Sequence, residues 1–519
     1  MSGEIGEHSL GLLAERSHDR QGDYEALFFE GRWLTSTEIH ERSLRVAGGL
    51  RNIGIAPGDR VMVLMMNTPE VFITYRAIWR AGAVATPVIF LQTEPELRHI
   101  LTDSGVKAVV ATPELLPLLT AAAEGLDVRI VVVGEDAPTA PGAVPYAELE
   151  LAAPLPLTAR SDDDLAALLY TGGTTGRAKG VMLSHRGLWT SARGIDEVAR
   201  TTTSTRSLLP LPLSHAYGLI VVLAAMHSER RHVSVLQRWF DPHGWLELVQ
   251  EHRIESSPVV PSMLQMLLAE PYQDYDLGSL ESFGSGGAPL LPALQSRVEQ
   301  ELGVSILQGY GCTESSAVIA AESLADRREG SVGKPLPHAE VVIRDSSGSP
   351  VPRGQEGEIC VRGPGVMLGY WNEPQLTAET VVDGWLHTGD VGRLDEDGFL
   401  YVVDRVKDLI IRGGFNVFPR DVEEVLLTHP DVTGAACVGR PDEKSGEEVV
   451  AVVSVVPGAE VAPQQLVGFA RDRLARYKYP REVVVVDAVP LTSVGKIDRK
   501  SVRRMVQDER APNPGTTGT

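Results

Sequence analysis

Apolar residues in the first part of the chain come in short blocks whose spacing changes from place to place. Residues 24 to 35, YEALFFEGRWLT, alternate around Glu30-Gly31 as the two arms of a hairpin would. From Thr35 to Leu50 the spacing becomes helical, and Glu38, three residues beyond Thr35, stands where a capping box places its acid. VMVLMM (61 to 66) then reads as a fully apolar strand, followed by a helical pattern through Trp79 and a second strand, AVATPVIF (83 to 90). The rhythm returns at VKAVVA (106 to 111), at VRIVVV (128 to 133), and at ESSPVVP (255 to 261) before the helical stretch PSMLQMLL. Apolar strands alternating with helices predict parallel sheets covered on both faces.

Beyond about residue 404 the pattern tightens. LIIRGG (409 to 414), a helix starting at Pro419 with Asp421, Glu423 and Glu424 near its acidic first turn, the strand VVAVVSVV (449 to 456), a helix near 464 to 475 and VVVV (483 to 486) make a compact α+β set. The fold predicted is α/β: a large N-terminal multi-sheet domain over 1–403, a hinge at 404–408, a small mobile α+β domain over 409–510, and a disordered tail over 511–519.

Length agrees, because 519 residues exceed what a single core supports. The formal charge of -21 argues against a nucleic-acid partner, since phosphate backbones select basic surfaces. Three scattered cysteines, Cys312, Cys360 and Cys437, form no zinc or disulfide pattern and suit a reducing, cytoplasmic setting. The N-terminus carries acids where a signal peptide carries basic residues, and the apolar run LIVVLAAM (219 to 226) is far short of the roughly 20 residues a membrane span needs, so no transmembrane segment is expected.

One stretch points to chemistry. TGGTTGRAKG (171 to 180) combines glycines that turn N–H groups inward, threonine hydroxyls and one lysine, which suits a polyphosphate. It is not a Walker loop, because Ala178 precedes Lys179 and Gly180 follows it. A glycine-rich surface turn is the competing reading of this stretch alone. Further along stand PLSHAYG (212 to 218), FGSGGAPL (283 to 290), QGYGCTES (308 to 315), LHTGD (386 to 390), DRVKDLIIRGGFNV (404 to 417) and PLTSVGKIDRK (490 to 500).

In this order the motifs resemble the adenylate-forming superfamily of acyl- and aryl-CoA synthetases, nonribosomal-peptide adenylation domains and beetle luciferases, over nearly the whole chain. Fatty-acyl-CoA and 4-coumarate-type ligases are the most similar subgroup. The resemblance implies an AMP-forming acid–thiol ligase that joins a carboxylic acid to AMP with release of pyrophosphate, then passes the acyl group to coenzyme A. ATP, Mg2+ and coenzyme A are the implied cofactors. In-line attack of a carboxylate on phosphorus needs positioning and charge stabilisation, with no enzyme nucleophile. Cys312 is accordingly read as a packing residue.

Residue by residue, the resemblance implies that Thr171, Gly172, Gly173, Thr174, Thr175, Gly176 and Lys179 cradle the phosphates, although Ala178 stands where the family has proline. Gly287, Ala288 and Pro289, with Gln308, Gly309, Tyr310 and Gly311, would line the adenine. Thr313 would donate to the α-phosphate, and Glu314 would be the Mg2+ ligand. Asp390 and Arg405 would take the ribose and phosphate side. Lys496 would bridge carboxylate and α-phosphate in the transition state, and His215 would gate the acid. Tyr217, Gly218, Leu219, Ser285 and Gly286 would wall the acyl pocket. Lys407 would be the hinge of a domain rotation, and Gly413 and Gly414 would admit the pantetheine arm. His185, His227, His232 and His243 read as surface or packing residues, and the pair Arg230-Arg231 as a surface feature or a contact for an acidic carrier or CoA phosphate.

No acidic partner for an amino-acid ammonium stands near LSHAYGLIV, so a fatty or aryl-alkenoic acid is expected. Three alternatives stay open: a stand-alone enzyme loading an acyl carrier protein's phosphopantetheine, a non-catalytic nucleotide or acyl binder, and, more remotely, a luciferase. A homodimer is compatible with the sequence.

Overall fold

A computed structural model describes residues 4–134, 142–171, 177–413, 415–442, 444–492 and 496–508. Its contacts divide the chain into two compact units, the first comprising Met1–Val342, Cys360–Thr388 and Asp397–Leu400, the second Ile343–Ile359, Gly389–Glu396 and Tyr401–Thr519.

In the first unit, the strands Val84–Pro87, Arg60–Leu64, Ala108–Ala111 and Arg129–Val132 lie parallel in one eight-stranded sheet. The predicted covering of both faces is present. Val61 and Val63 join the core shared with a second sheet, while Met62 and Leu64 pack under Leu97, Ile100, Leu101 and Leu119 of the helices Glu94–Ser104 and Leu116–Ala122. Successive strand side chains point to opposite faces, so an unbroken apolar run is what a doubly covered strand needs. The apolar run at 219 to 226 belongs to the helix Ala216–His227, which is apolar nearly all round because it is buried in that shared core.

The second sheet has nine strands, among them the parallel set Arg206–Leu209, Ser256–Val259, Ser282–Ser285 and Ser305–Tyr310. Its far face is closed by Trp245, Leu246, Leu264 and Val298. At its edge the predicted hairpin forms between Glu25–Phe29 and Arg32–Thr35, and the turn takes positive φ at both Glu30 (44°) and Gly31 (84°). The helix Ser36–Asn52 starts as expected at Thr35, whose hydroxyl accepts the Glu38 N–H at 3.1 Å. The capping box is only half made, however, because the Glu38 carboxylate pairs with Arg32 of the strand that leads into the helix.

In the second unit, Val432–Asp442 and Gly446–Val455 form a long antiparallel pair, with Glu482–Val486 alongside in parallel. Ala435 and Cys437 face the helices Pro419–Leu427 and Pro463–Arg471, while Ala436 and Val438 face Val502 and Val506 of Arg499–Asp508. Among the described residues no helix is long and apolar enough to cross a membrane.

Candidate active site

The parallel strands of the nine-stranded sheet end together, and ligands gather at such carboxyl edges because the following loops diverge there. Ser285 lies opposite Val259 and Gln308 in register. Its buried hydroxyl has no hydrogen-bond partner. The chain then turns through Gly286 and Gly287, the latter at φ +79°, with Ala288 half-buried and Pro289 exposed. Tyr217 reaches this turn from the first turn of Ala216–His227, and its hydroxyl donates to the Gly284 carbonyl at 2.8 Å. A Cβ added at Gly286 would lie 3.3 Å from the Tyr217 ring and 3.5 Å from the Gly309 carbonyl oxygen. One glycine therefore separates a residue expected in the acyl pocket from one expected at the adenine.

Gln308 is held by Glu322, whose buried carboxylate accepts the Gln308 N–H at 3.0 Å and the Arg328 N–H at 3.1 Å. Burial pushes the Glu322 carboxyl above the usual carboxylate range. Tyr310 is half-buried at the strand end. At Gly311 a Cβ would meet the Ala317 carbonyl oxygen at 2.2 Å, so only glycine fits. His215 caps its helix, its Nδ1 accepting the Tyr217 N–H at 3.1 Å. The segment before it is pinned by Asn67, which donates to the Leu211 carbonyl at 2.8 Å and accepts the Leu213 N–H at 2.9 Å. Gly218 packs on the Pro212 carbonyl, and Leu219 is fully buried in the core between the sheets. Asn67 and Glu322 carried no sequence signal beyond a polar residue at the edge of an apolar strand.

The predicted loop is the connection of an antiparallel pair: Thr171 ends Leu165–Thr171 and lies opposite Lys179, the first residue of Lys179–Ser184. Gly172, Gly173, Thr174, Thr175 and Gly176 lie outside the described residues. The Ala178 carbonyl, at the position of the family's proline, is 2.9 Å from His99 Nε2. The Lys179 ammonium lies 5.7 Å from the centre of the Tyr370 ring. Thr313 and Glu314 belong to the single 3-10 turn Thr313–Ser315, which Ser316 and Ala317 leave with φ of 55° and 81°. The Tyr370 hydroxyl donates to Glu314 Oε1 at 2.9 Å. Cys312 shares its turn with Ser315, the two side chains 3.6 Å apart.

In the second unit, Asp390 is buried and its carboxylate meets the exposed Arg405 guanidinium at 3.1 Å. Lys407 is exposed between two anchored acids. Asp404 accepts the backbone N–H groups of Arg405 at 2.7 Å and Arg420 at 3.0 Å. Asp408 pairs with Arg499 at 3.3 Å and Arg503 at 2.8 Å. Arg499 also meets Glu423 and the Cys437 carbonyl, and these carboxylates hold its guanidinium above its usual value against the cost of burial. Lys496 is half-buried on a turn in which it exchanges two hydrogen bonds with Thr492: its carbonyl accepts the Thr492 N–H at 2.6 Å, and its N–H donates to the Thr492 hydroxyl at 3.2 Å. Gly413 has φ +57° and open space where a side chain would project, while Gly414 lies outside the described residues.

Of His185, His227, His232 and His243, the first three pack and the last lies at the surface. His185 and His227 are buried, and burial lowers them to about 4 and about 3; His232 falls to about 4, and His243 is exposed beside Tyr275. Arg230 and Arg231 also find a structural account. Arg230 donates to the carbonyls of Thr203 and Thr202 at 3.2 and 3.0 Å, and Arg231 donates to the Gln21 carbonyl at 3.0 Å with its guanidinium over Tyr24. The pair ties three chain segments together.

With these features in place, comparison with known proteins is direct. The profile of the AMP-binding enzyme family matches residues 14–371, and that of the AMP-binding enzyme C-terminal domain matches 421–496. The chain belongs to the adenylate-forming AMP-binding family. It is 39% identical to a feruloyl-CoA synthase of Amycolatopsis sp, over 91% of this chain and 94% of that one. It is 35% identical to the medium/long-chain-fatty-acid–CoA ligase FadD8 of Mycobacterium tuberculosis, over 93% and 88%, and 35% identical to the fatty acid–[acyl-carrier-protein] ligase ScoC of Streptomyces coeruleorubidus, over 92% of each. The ATP-bound crystal structure of MatB from Rhodopseudomonas palustris superposes with a TM-score of 0.88 at 32% identity, covering 96% of this chain and 99% of that one. This adenylate-forming enzyme is an AMP-forming acid–thiol ligase that uses ATP, Mg2+ and coenzyme A.

Proposed function

We propose that the enzyme activates an extended apolar carboxylic acid, a fatty or an aryl-alkenoic acid, at the carboxyl edge of the nine-stranded sheet and transfers it to coenzyme A. The observation that carries this reading is Gly286, placed between the Tyr217 ring and Gly309. An acid lying along Tyr217 would present its carboxylate beside the turn that receives the adenylate, and the Tyr217 hydroxyl is already satisfied by Gly284, so the ring offers an apolar face. Leu219, Gly218 and Ser285 complete the surroundings of that wall.

The nucleotide side follows the same logic. Lys179, Thr171 and the loop 172–176 hold the phosphates. Thr313 donates to the α-phosphate, and Tyr310 with Gly287–Pro289 lines the purine beside Gln308, Gly309 and Gly311. Glu314 would hold Mg2+ as a hard oxygen donor: Tyr370 donates one hydrogen bond to its carboxylate, whose other lone pairs stay open to a cation. When bound, the ion neutralises charge on the phosphates. His215 orients the acid entrance. Asp390 accepts the ribose hydroxyls, with Arg405 beside it, and Lys496 stabilises charge as the carboxylate attacks. Residues 404–408 form the hinge between a domain over 1–403 and one over 409–510, with Lys407 as the pivot, and the open space at Gly413 admits pantetheine.

A panel of acids from acetate to palmitate, with cinnamate, ferulate, benzoate and amino acids, assayed for AMP release with coenzyme A tests the reading. Turnover is expected with long apolar or cinnamate-type acids and not with amino acids. Absence of acid-dependent ATP–pyrophosphate exchange with every acid would overturn it. The similarity to ScoC supports one alternative, loading of a carrier-protein phosphopantetheine, and turnover with the carrier but not with coenzyme A would establish it.

A further inference from the structure

The segment 367–371 was silent in the sequence, yet it ties the proposed metal ligand to the strand that carries the proposed phosphate lysine. The Met367 N–H donates to the Glu314 carbonyl at 2.8 Å, the Leu368 N–H to Met182 at 2.8 Å and the Trp371 N–H to Gly180 at 2.7 Å. Tyr370 and Val181 are paired across the antiparallel strands Gly369–Tyr370 and Lys179–Ser184. The backbone of this strap therefore fixes where the Tyr370 side chain stands. That side chain is 8% exposed, its ring lies under the Lys179 ammonium and its hydroxyl is 2.9 Å from Glu314 Oε1.

We infer that Tyr370 is a positioning residue for the magnesium nucleotide: its hydroxyl orients the Glu314 carboxylate toward the metal, and its ring holds the Lys179 ammonium at the phosphates. The two functions use different parts of one side chain. A hydroxyl that donates to one carboxylate oxygen removes the rotational freedom of the other, so the free lone pairs point one way before the ion arrives. An ammonium over an aromatic face is attracted by the ring quadrupole without losing its N–H donors to a counter-charge. A carboxylate in the place of Tyr370 would bind the lysine more strongly and compete with phosphate for it. The inference rests on the proposed roles of Glu314 and Lys179.

The test compares Tyr370→Phe, Tyr370→Leu and Glu314→Gln in the full-length enzyme. Binding of a fluorescent ATP analogue is titrated against Mg2+ and repeated in EDTA, with thermal midpoints measured in parallel. Tyr370→Phe is expected to raise the Mg2+ concentration at half-saturation about 10-fold, the equivalent of one lost hydrogen bond to a charged group, while binding in EDTA stays unchanged. Tyr370→Leu should in addition weaken binding in EDTA several-fold, because the ring is lost as well. The double variant Tyr370→Phe/Glu314→Gln should have the same Mg2+ dependence as Glu314→Gln alone, as for two groups acting through one contact. An unchanged Mg2+ dependence in Tyr370→Phe, with Glu314→Gln impaired, would overturn the positioning role and leave the active-site reading intact. An unchanged Mg2+ dependence in Glu314→Gln would overturn the assignment of Glu314 itself.

Discussion

The two lysines proposed for this chemistry stand in unlike surroundings. Lys179 belongs to a strand paired on both sides, with Thr171 opposite it and Tyr370 under its ammonium. Lys496 sits on a turn closed by Thr492, just before the helix Arg499–Asp508. The surroundings of the two units differ in the same way. Around Lys179 lie sheets with apolar side chains on both faces, whereas residues 404–408 of the second unit are held by charges: Asp404 on two backbone N–H groups and Asp408 on Arg499 and Arg503. A charge that binds the ground state can be built rigidly into a sheet. In the proposed mechanism, the charge needed in only one half-reaction belongs on an element that can be withdrawn.

The largest effect expected from this contrast is catalytic. Lys496→Ala should lower acid-dependent ATP–pyrophosphate exchange by about 10²- to 10³-fold, as removal of a transition-state donor does, with little change in KM for ATP. Lys179→Ala should instead raise KM for ATP about 10-fold, because it removes ground-state binding as well. Equal changes in kcat and KM for both variants, measured by exchange kinetics, would erase the distinction.

Next comes the ion-pair network around Arg499. Arg499→Ala leaves the buried Glu423 without its ion-pair partner and Asp408 with Arg503 alone, and should destabilise the second unit by about 3–5 kcal/mol, read from urea unfolding. Arg499→Met should lose no less if the network matters for geometry. A Met variant as stable as the native enzyme would show that apolar packing alone suffices there.

The smallest effect concerns the first unit's response to acid. His185 is fully buried, its Nδ1 accepts the Leu10 N–H at 3.2 Å, and burial lowers its pKa from 6.5 to about 4. The folded state binds fewer protons than the unfolded one between these values, so this contribution is complete above pH 6.5 and is lost as pH falls toward 4. The slope is at most about 1.4 kcal/mol per pH unit for one such group. His185→Gln, which keeps an acceptor, should flatten the fall of thermal midpoint with acid. An unchanged slope would assign the acid sensitivity elsewhere, with His227 and His232 the next candidates.

Much of the fold could be read from local pattern, for reasons that differ from element to element. The strands at 61 to 64 and 108 to 111 are apolar at every position because both faces are covered, and Glu30-Gly31 marks a turn because both residues adopt positive φ. Glu38 shows the limit. Spacing placed it for a capping box, but Arg32, on the strand that runs into the helix, competes for its carboxylate, and spacing along one helix carries no information about the strand before it. Arg230-Arg231 show the same limit, since their partners at Gln21, Thr202 and Thr203 are set by packing alone.

Sequence by itself determined the class of chemistry, because a glycine- and threonine-rich loop, an acidic turn and a late lysine, in that order along the chain, match the family. Only the tertiary structure decided which residues hold those groups in place. Tyr370, Asn67 and Arg499 act through partners far away in sequence, from Glu423 for Arg499 to Leu211 and Leu213 for Asn67. A hydrogen bond or ion pair depends on distance in space, and the chain order alone does not contain that distance.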